Sequence, residues 1–265
     1  MHKSADSAGV DFSREQLASQ AAAVLARLRA TQPRVHCITN SVAQNFTANA
    51  LLALGAVPSM TLSGEEIGAF VSRSNALLVN LGTFDRERRE ATAIAIDAAA
   101  QSGLPWVLDP VFVDRAERRC AYAHDLMALA PHAVRLNAAE FTALSGDAPS
   151  RAAVASYARE RGTVIGLTGA SDLIADGARM ASVANGHPLM ARVTAMGCAA
   201  SSIVAACLAV EPDAHVATSS AMLIVGVAGE MAADDAKGPG SFAVAILDAL
   251  YTIDTQTLAA RARII

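Results

Sequence analysis

Short apolar runs that alternate with longer helix-like segments constrain the fold of this chain most strongly. Runs such as ALLVNLG (76–82) and PWVLDP (105–110) are almost continuously apolar, and stretches with helical periodicity separate them. Strands have such nearly continuous apolar sequences when helices cover both faces of a parallel sheet. Two later runs, SDLIADG and ARMASVAN, follow one another closely and predict hairpin-like strands at one edge. The pattern predicts an α/β fold with a mostly parallel central sheet between two layers of helices.

Local signals mark where several predicted helices begin and end. Ser13 and Gln16 have the spacing of a capping box at the start of a helix over 13–30. Glycines close three of the later predicted helices, namely Gly55, Gly103 and Gly146. The 265 residues contain no internal repeat, low-complexity segment or linker composition. We therefore expect a single domain over residues 1–265, in which residues 1–12 form a flexible polar tail.

Charge and cysteine content exclude several classes of function. The net charge is −4 and no long basic run is present, so the sequence shows no positively charged segment for binding nucleic acid. The four cysteines show no CxxC spacing, which argues against a zinc ribbon or a redox pair and suits a reducing cytosol. The N-terminus lacks a signal-peptide core, and the longest apolar run is too short to span a bilayer. We expect a cytoplasmic protein without membrane or nucleic-acid partners, and the low charged fraction of 17% favours self-association.

Polar residues stand directly after the predicted strands, where parallel sheets bind their ligands. They are Thr39, Asn40, Gly82, Thr83, Asp109, Asn137, Glu140, Thr168 and Gly169. Because all are small, polar or acidic and converge on one edge of the sheet, they predict a binding site there.

Two carboxylates in this group have alternative interpretations. Asp109 precedes a proline and can simply begin a turn. Glu140 lies three residues after Asn137, which is the spacing of a helix capping box. Alternatively, the two carboxylates together can hold Mg²⁺ and its waters against phosphate groups.

Three further residues are open to both a structural and a chemical interpretation. Thr168 could occupy a turn or offer its hydroxyl to a phosphate, and Arg119 could be a solvated helix charge or a phosphate clamp. His36 is expected to be a hydrogen-bonded structural histidine, although a hydrolase dyad with Cys198 is an alternative. The chain has no P-loop motif and no GxGxxG after its first strand, which disfavours both of those nucleotide-binding folds.

Several stretches together resemble the hydroxyethylthiazole kinase family. They are VHCITNSVAQNFTANALLALGAVPSM (35–60), NLGT (80–83), VLDPV (107–111), NAAE (137–140), LTGASDLIADG (167–177), VTAMGCAASS (193–202) and DDAKGPGSF (234–242). They keep the family's order and cover most of the chain, and the VHxITN start followed by ALGAxPxM is specific to this family.

The resemblance implies a ribokinase-like three-layer fold and a phosphoryl transfer from ATP to the hydroxyethyl group of 4-methyl-5-(2-hydroxyethyl)thiazole. It implies roles for these residues: Asn40 and Met60 in the thiazole pocket, Asp109 and Glu140 at Mg²⁺, Arg119 and Thr168 at the nucleotide phosphates, and Cys198 at the position of a catalytic base. It also implies a homotrimer with the thiazole site between subunits.

The start of the helix at Gly197 adds a prediction of its own. The backbone N–H groups of Gly197, Cys198 and Ala199 are expected to form an anion hole for the transferred phosphate. The field of the helix is expected to lower the pKa of the Cys198 thiol.

The chain departs from the family pattern where glycines or other small residues are usual. Those positions hold Phe112, Asp114, Leu136, Ala195 and Met196. A side chain where φ is positive costs about 1 kcal/mol or more, and Ala195 and Met196 can narrow the substrate pocket. Two alternatives to the thiazole kinase follow, namely a kinase of the same fold for another small alcohol and a catalytically impaired binding homologue.

Overall fold

The computed structural model describes residues 10–11 and 13–265 of the chain, which form helices packed around one nine-stranded sheet. The strand order is β1-β9-β8-β7-β6-β5-β4-β2-β3. The strands are β1 Val10–Asp11, β2 Arg34–Ile38, β3 Val57–Ser59, β4 Ala76–Asn80, β5 Trp106–Asp109, β6 Ala133–Asn137, β7 Val164–Thr168, β8 Asp172–Ala175 and β9 Arg179–Val183.

The helices form a layer on each face of this sheet. They are α1 Arg14–Thr31, α2 Gln44–Leu54, α3 Ile67–Ser72, α4 Arg86–Gln101, α5 Glu117–Met127, α6 Ala138–Ser145, α7 Arg151–Arg161, α8 Met196–Leu208, α9 Ala214–Asp235, α10 Pro239–Thr252 and α11 Thr255–Arg261. One apolar cluster packs α1, α2 and α8–α11 against the sheet, and a second packs α3–α7 against its other face. The predicted α/β class with three layers is confirmed.

The sheet is parallel from β3 to β7, and β8 pairs antiparallel with both of its neighbours. The two hairpin-like strands predicted from SDLIADG and ARMASVAN are therefore present. They are not the outermost strands, because β1 pairs parallel with β9. The predicted polar tail over 1–12 falls mostly on residues 1–9 and 12, which lie outside the described residues.

Short-range signals account for the helix ends that the sequence predicts. The Ser13 side chain accepts from the backbone of Gln16, and the reciprocal bond completes the capping box of α1. Gly55 and Gly146 end α2 and α6 in the left-handed conformation. Three short elements, β1, β3 and α3, carry no comparable signal, since they owe their conformation to pairing and packing with distant parts of the chain.

Helix α9 has 22 residues and is apolar enough to cross a membrane by length and composition. However, 83% of its most apolar window is buried inside the protein. It packs against α1, α8 and α10. Helix α9 is therefore a buried core helix of the folded protein.

Candidate active site

The carboxyl ends of β4 to β7 bring the predicted site residues to one edge of the sheet. Asn80 at the end of β4 is in register with Asp109 at the end of β5. Asn137 and Thr168 occupy the corresponding positions on β6 and β7. This edge collects short polar side chains because parallel strands end together, as the sequence predicts.

Helix α8 begins above this edge without a side-chain cap. Its N-cap is Ala195, with φ of 67°, and the first helical hydrogen bond runs from the Ala199 N–H to the Ala195 carbonyl at 2.9 Å. The prediction that Ala199 contributes a free amide to an anion hole is therefore wrong. Since first-turn amides have no acceptor within their helix, those of Met196, Gly197 and Cys198 are the ones available to an anion.

The Cys198 thiol lies in this first turn and accepts hydrogen bonds from two asparagines. The Nδ2 atom of Asn40 is 3.2 Å from Sγ, and that of Asn80 is 3.3 Å away. Burial, with a smaller contribution from the charge of Asp109, raises the pKa of the thiol to about 11. The net shift is upward because burial disfavours the charged thiolate.

A glycine after β4 allows the two asparagines to approach each other. A Cβ atom on Gly82 would lie 2.6 Å from Asn40 Nδ2 and 2.9 Å from Asn80 Oδ1. The Gly82 N–H also donates to Asn80 Oδ1 at 2.9 Å. A larger residue at this position would displace the amides that orient the thiol.

Asp109 and Glu140 are both buried, and both carry raised pKa values. Asp109 Oδ2 accepts from Asn80 Nδ2 at 2.6 Å and from the Ser201 hydroxyl at 2.8 Å. Burial is the main reason for the raised pKa of each carboxyl, and the charge of Asp109 raises that of Glu140 further.

Glu140 also has the structural role that the sequence allowed. Its carboxylate accepts the backbone N–H of Asn137 at 2.9 Å. In the second bond of the capping box, Asn137 Oδ1 accepts the Glu140 N–H at 3.0 Å. The second oxygen accepts the Phe112 N–H at 3.1 Å. Capping α6 and facing Asp109 are therefore compatible roles for one side chain.

The pair of carboxylates fits a hard divalent cation only in part. Two buried carboxylates that repel each other are stabilised by a cation between them, and Mg²⁺ prefers oxygen ligands. Within residues 13–265, no group of three or more His, Cys, Asp or Glu side chains forms a complete metal cage. A cation held here would need water or phosphate oxygens as its remaining ligands.

A cavity of about 520 Å³ opens beside the start of α8. Its lining includes Arg135, Thr168, Asp172, Met196 and Gly197. Asp172 accepts the Gly169 N–H at 3.0 Å, and burial raises its pKa to about 6. The Thr168 hydroxyl donates to the Leu136 carbonyl at 3.2 Å.

Arg119 does not line this cavity. Its Nη1 atom donates to the carbonyls of Leu81, Gly82 and Val111, at 2.6, 3.3 and 2.9 Å. The guanidinium also lies over the Phe84 ring, 5.5 Å from its centroid. In this arrangement Arg119 joins the loops that follow β4 and β5.

His36 is a buried structural histidine, as the sequence favours. Its ring nitrogens lie 2.8 Å from the Ser59 hydroxyl and 3.1 Å from the Thr61 carbonyl, and burial lowers its pKa to about 4. Both nitrogens are occupied by partners other than Cys198. The cysteine-hydrolase alternative therefore lacks its dyad.

The remaining predicted residues lie around the site. Met60 follows edge strand β3 and is partly buried against the apolar cluster of α2 and α8. Phe112 keeps a positive φ of 62° and is 53% exposed, so its ring does not fill the cavity. Leu136 is fully buried in the cluster below α6, and Asp114 pairs with Arg115 at 2.7 Å.

Three residues of this site had no role in the sequence prediction. Asn80 ends a strand and Ser201 lies one helical turn after Cys198, so strand position and helical spacing could have indicated both. Arg135 interrupts the apolar strand AVRLN, and a charged residue inside a buried strand is the signal that could have indicated it.

The fold of this chain is that of the ribokinase-like class. A ribokinase-like superfamily protein from Enterococcus faecalis V583 has a TM-score of 0.69 at 14% identity, with 92% of this chain and 96% of that chain covered. At that identity the likeness concerns the fold alone.

Closer relatives identify the family. The sequence model of the family described as "Hydroxyethylthiazole kinase family" matches residues 25–256 of this chain. The "Probable hydroxyethylthiazole kinase" of Agrobacterium fabrum is 45% identical over 247 residues, which are 93% of this chain and 95% of the relative. The solved hydroxyethylthiazole kinase from Pyrococcus horikoshii OT3 has a TM-score of 0.89 at 35% identity, covering 93% of this chain and 98% of that one. The chain belongs to the hydroxyethylthiazole kinase family, and the predicted resemblance, fold class and phosphotransferase class are confirmed.

Proposed function

We propose that this chain transfers the γ-phosphoryl group of ATP to the hydroxyethyl side chain of 4-methyl-5-(2-hydroxyethyl)thiazole, in the biosynthesis or salvage of thiamine. One structural observation supports the proposal in addition to the family membership. The Cys198 thiol, two asparagine amides and the Asp109 carboxylate meet at the open first turn of α8. An acceptor alcohol, a phosphoryl group and a cation can all be held at that point.

The phosphoryl group would be received by the backbone amides of Met196, Gly197 and Cys198. The transition state of phosphoryl transfer spreads negative charge over the equatorial oxygens. Free amides at a helix start are fixed donors for such charge and need no reorganisation during the reaction. Gly197 contributes an amide without a side chain in the way.

The Cys198 thiol would orient the hydroxyl, and only its small thiolate fraction could accept the hydroxyl proton. Its pKa of about 11 keeps it protonated near pH 7. Because the transition state is loose, the hydroxyl does not have to be ionised in advance, and a weak base is sufficient. The hydrogen bonds from Asn40 and Asn80 hold the sulfur atom in place.

Asp109 and Glu140 would hold Mg²⁺ together with water and phosphate oxygens. When bound, the cation neutralises phosphate charge. The residues supply their part through geometry, since Asn80 and Ser201 fix one Asp109 oxygen and two backbone amides fix both Glu140 oxygens.

The nucleotide would occupy the cavity beside Thr168, with its phosphates directed to α8. The size and lining of the cavity support this assignment. Arg119 would join the phosphate contacts only after exchanging some of its carbonyl partners. Asn40, Met60 and Ala195 would line the thiazole pocket.

The chain would act as a single-domain cytoplasmic homotrimer, with the thiazole pocket between subunits. Apolar side chains left exposed near strands β2 and β3 support an interface at that edge: Val42, Leu52, Val57 and Phe70 are 71, 56, 45 and 43% exposed. Light scattering after gel filtration would test this assembly, and a monomeric mass would contradict it.

A second candidate function is phosphorylation of another small alcohol. One observation favours it, since Ala195 places a methyl group in the left-handed N-cap of α8 beside the proposed acceptor site. A smaller or differently shaped alcohol would then fit better than the thiazole.

Release of ADP from ATP and Mg²⁺, measured with and without the thiazole alcohol, tests the proposal. We expect turnover that depends on the thiazole. Turnover with other small alcohols only would support the second candidate. Nucleotide binding without turnover on any alcohol would instead indicate a binding homologue and overturn both enzymatic proposals.

A further inference from the structure

The chain between β9 and α8 forms one wall of the cavity beside α8, and residues 185–192 are called the cavity wall below. The residues of this wall that line the cavity are Asn185, Gly186, His187, Pro188, Met190 and Ala191. We infer that Glu230 of α9 is a positioning residue for the cavity wall, and that it acts by joining the wall to the segment 261–265. The inference rests on the proposed function in taking the ligand of the cavity to be ATP.

A single oxygen atom of Glu230 holds the start of the cavity wall. Oε1 accepts a hydrogen bond from Asn185 Nδ2 at 2.9 Å and another from the backbone N–H of Gly186 at 3.0 Å. The same oxygen accepts from Arg263 Nη2 at 2.5 Å. Because the acceptor is charged and its side chain is only 16% exposed, these bonds are stronger than bonds between neutral groups. Glu230 therefore ties two consecutive wall residues and an arginine together at one point.

The segment 261–265 also holds Asn185 directly. Asn185 Nδ2 donates to the Arg261 carbonyl at 2.8 Å, and Asn185 Oδ1 accepts the backbone N–H of Arg263 at 2.7 Å. Asn185 is buried, and together with the bond to Glu230 these contacts use both of its amide donors and its acceptor oxygen. The wall and the segment 261–265 are therefore joined through one fully hydrogen-bonded side chain.

Two glycines of α9 let the cavity wall lie directly against the helix. A Cβ atom on Gly226 would lie 2.7 Å from Asn185 Cβ, and one on Gly229 would lie 2.5 Å from Met190 Sδ. Both distances are shorter than real Cβ contacts, so the wall fits α9 only because these side chains are missing. Glu230 follows Gly229 and closes this contact, so a change at Glu230 is expected to shift the wall relative to the cavity.

A purely structural role for Glu230 gives a different expectation. If Glu230 only stabilised the fold, its removal would lower Tm and leave the ATP affinity of the folded protein unchanged. If Glu230 positions the wall, its removal raises the KM for ATP and leaves the KM for the thiazole alcohol unchanged. The two constants separate because the residues proposed for the thiazole pocket, Asn40, Met60 and Ala195, lie outside residues 185–192.

Glu230→Ala tests the inference, with Asp234→Asn as the matched control. Asp234 lies one turn further along α9 and makes an equivalent ion pair with Arg261 at 2.8 Å. We expect Glu230→Ala to weaken ATP binding about two- to thirtyfold in calorimetric titration and to raise the KM for ATP alone, while Asp234→Asn matches wild type. Arg263→Gln, at a side chain that is 55% exposed, removes one of the three bonds to Oε1 and should give a smaller change in a folded protein.

Hydrogen exchange measured by mass spectrometry gives a second readout that needs no turnover. We expect faster exchange of the cavity wall in Glu230→Ala than in Asp234→Asn, because the Gly186 amide loses its acceptor. In the wild-type chain, ATP should slow exchange of the wall and also of the segment 261–265, since coupling between two sites is reciprocal. Glu230→Ala should lose the effect of ATP on the segment 261–265.

Unchanged ATP affinity in a folded Glu230→Ala variant would overturn the inference, and so would equal weakening in Asp234→Asn. An effect of ATP on the segment 261–265 that persists in Glu230→Ala would also overturn it. If the wild-type chain binds ATP with the expected coupling but shows no thiazole-dependent turnover, the proposed function fails and the positioning role of Glu230 stands.

Discussion

Helix α8 buries one cysteine in its first turn and another in its last, and the two thiols have very different neighbours. Cys198 accepts hydrogen bonds from Asn40 and Asn80 at the polar edge of the sheet. Cys207 is fully buried in the apolar cluster that packs α8 against α1 and α9. Burial raises both pKa values, to about 11 and about 12. The place of each thiol in the fold, and not its acidity, separates a candidate site residue from a core residue.

The largest effect is expected from removing the charge beside Cys198. We predict that Asp109→Asn lowers kcat by about 100- to 1,000-fold, because a preorganised electrostatic group of the proposed reaction is lost. Initial rates of ADP release measure this. Asp97→Asn, on the exposed face of α4, is the control that should keep wild-type turnover. Activity within tenfold of wild type would contradict a role for Asp109 at the cation.

A smaller effect is expected at Cys198 itself. We predict that Cys198→Ser lowers kcat by less than about 100-fold, the lower end of what a positioned general base contributes. If the protonated thiol only orients the hydroxyl, the wild-type rate should not rise between pH 7 and 9. A thiolate base with a pKa of about 11 would instead give a rise of about tenfold per pH unit in this range. Complete loss of activity in a folded Cys198→Ser variant would argue instead for an obligatory thiolate.

The same substitution at the other end of α8 should affect stability alone. We expect Cys207→Ser to lower the free energy of unfolding by about 1–3 kcal/mol, because its hydroxyl would be buried among apolar side chains. Urea unfolding measures the change, and kcat should match wild type at a temperature where the variant is folded. A large fall in kcat without loss of stability would break the contrast between the two cysteines.

The smallest effect is expected where α8 begins. Ala195 holds φ at 67°, a conformation that costs an alanine about 1 kcal/mol. We predict that Ala195→Gly raises the free energy of unfolding by up to about 1 kcal/mol, less the greater entropy of glycine in the unfolded chain. Thermal unfolding tests this, with Ala200→Gly inside the helix as a control that should lower Tm.

The sequence predicted most of the elements and the edge on which the site lies. The alternation of apolar runs with helical periods indicated the sheet and its two helical layers, and the Asn137–Glu140 capping box formed as its spacing indicates. The same local reasoning missed β3 and α3, and it named Ala199 where the helix instead uses that amide internally. These errors concern contacts that depend on how the chain is packed, which periodicity does not report.

What the sequence by itself determined is what depends on neighbours a few residues apart: the strand and helix types, the caps, and the polar residues at the strand ends. Tertiary structure decided which of those residues meet. The register of β4 and β5 sets Asn80 beside Asp109, and the packing of α8 above them brings Cys198 to both asparagines. The tertiary structure also raises the pKa of the Cys198 thiol, because the elements packed around it exclude water and disfavour the thiolate. Arg135 acquired its position between Thr168 and Gly197 in the same way, through strand order and helix placement.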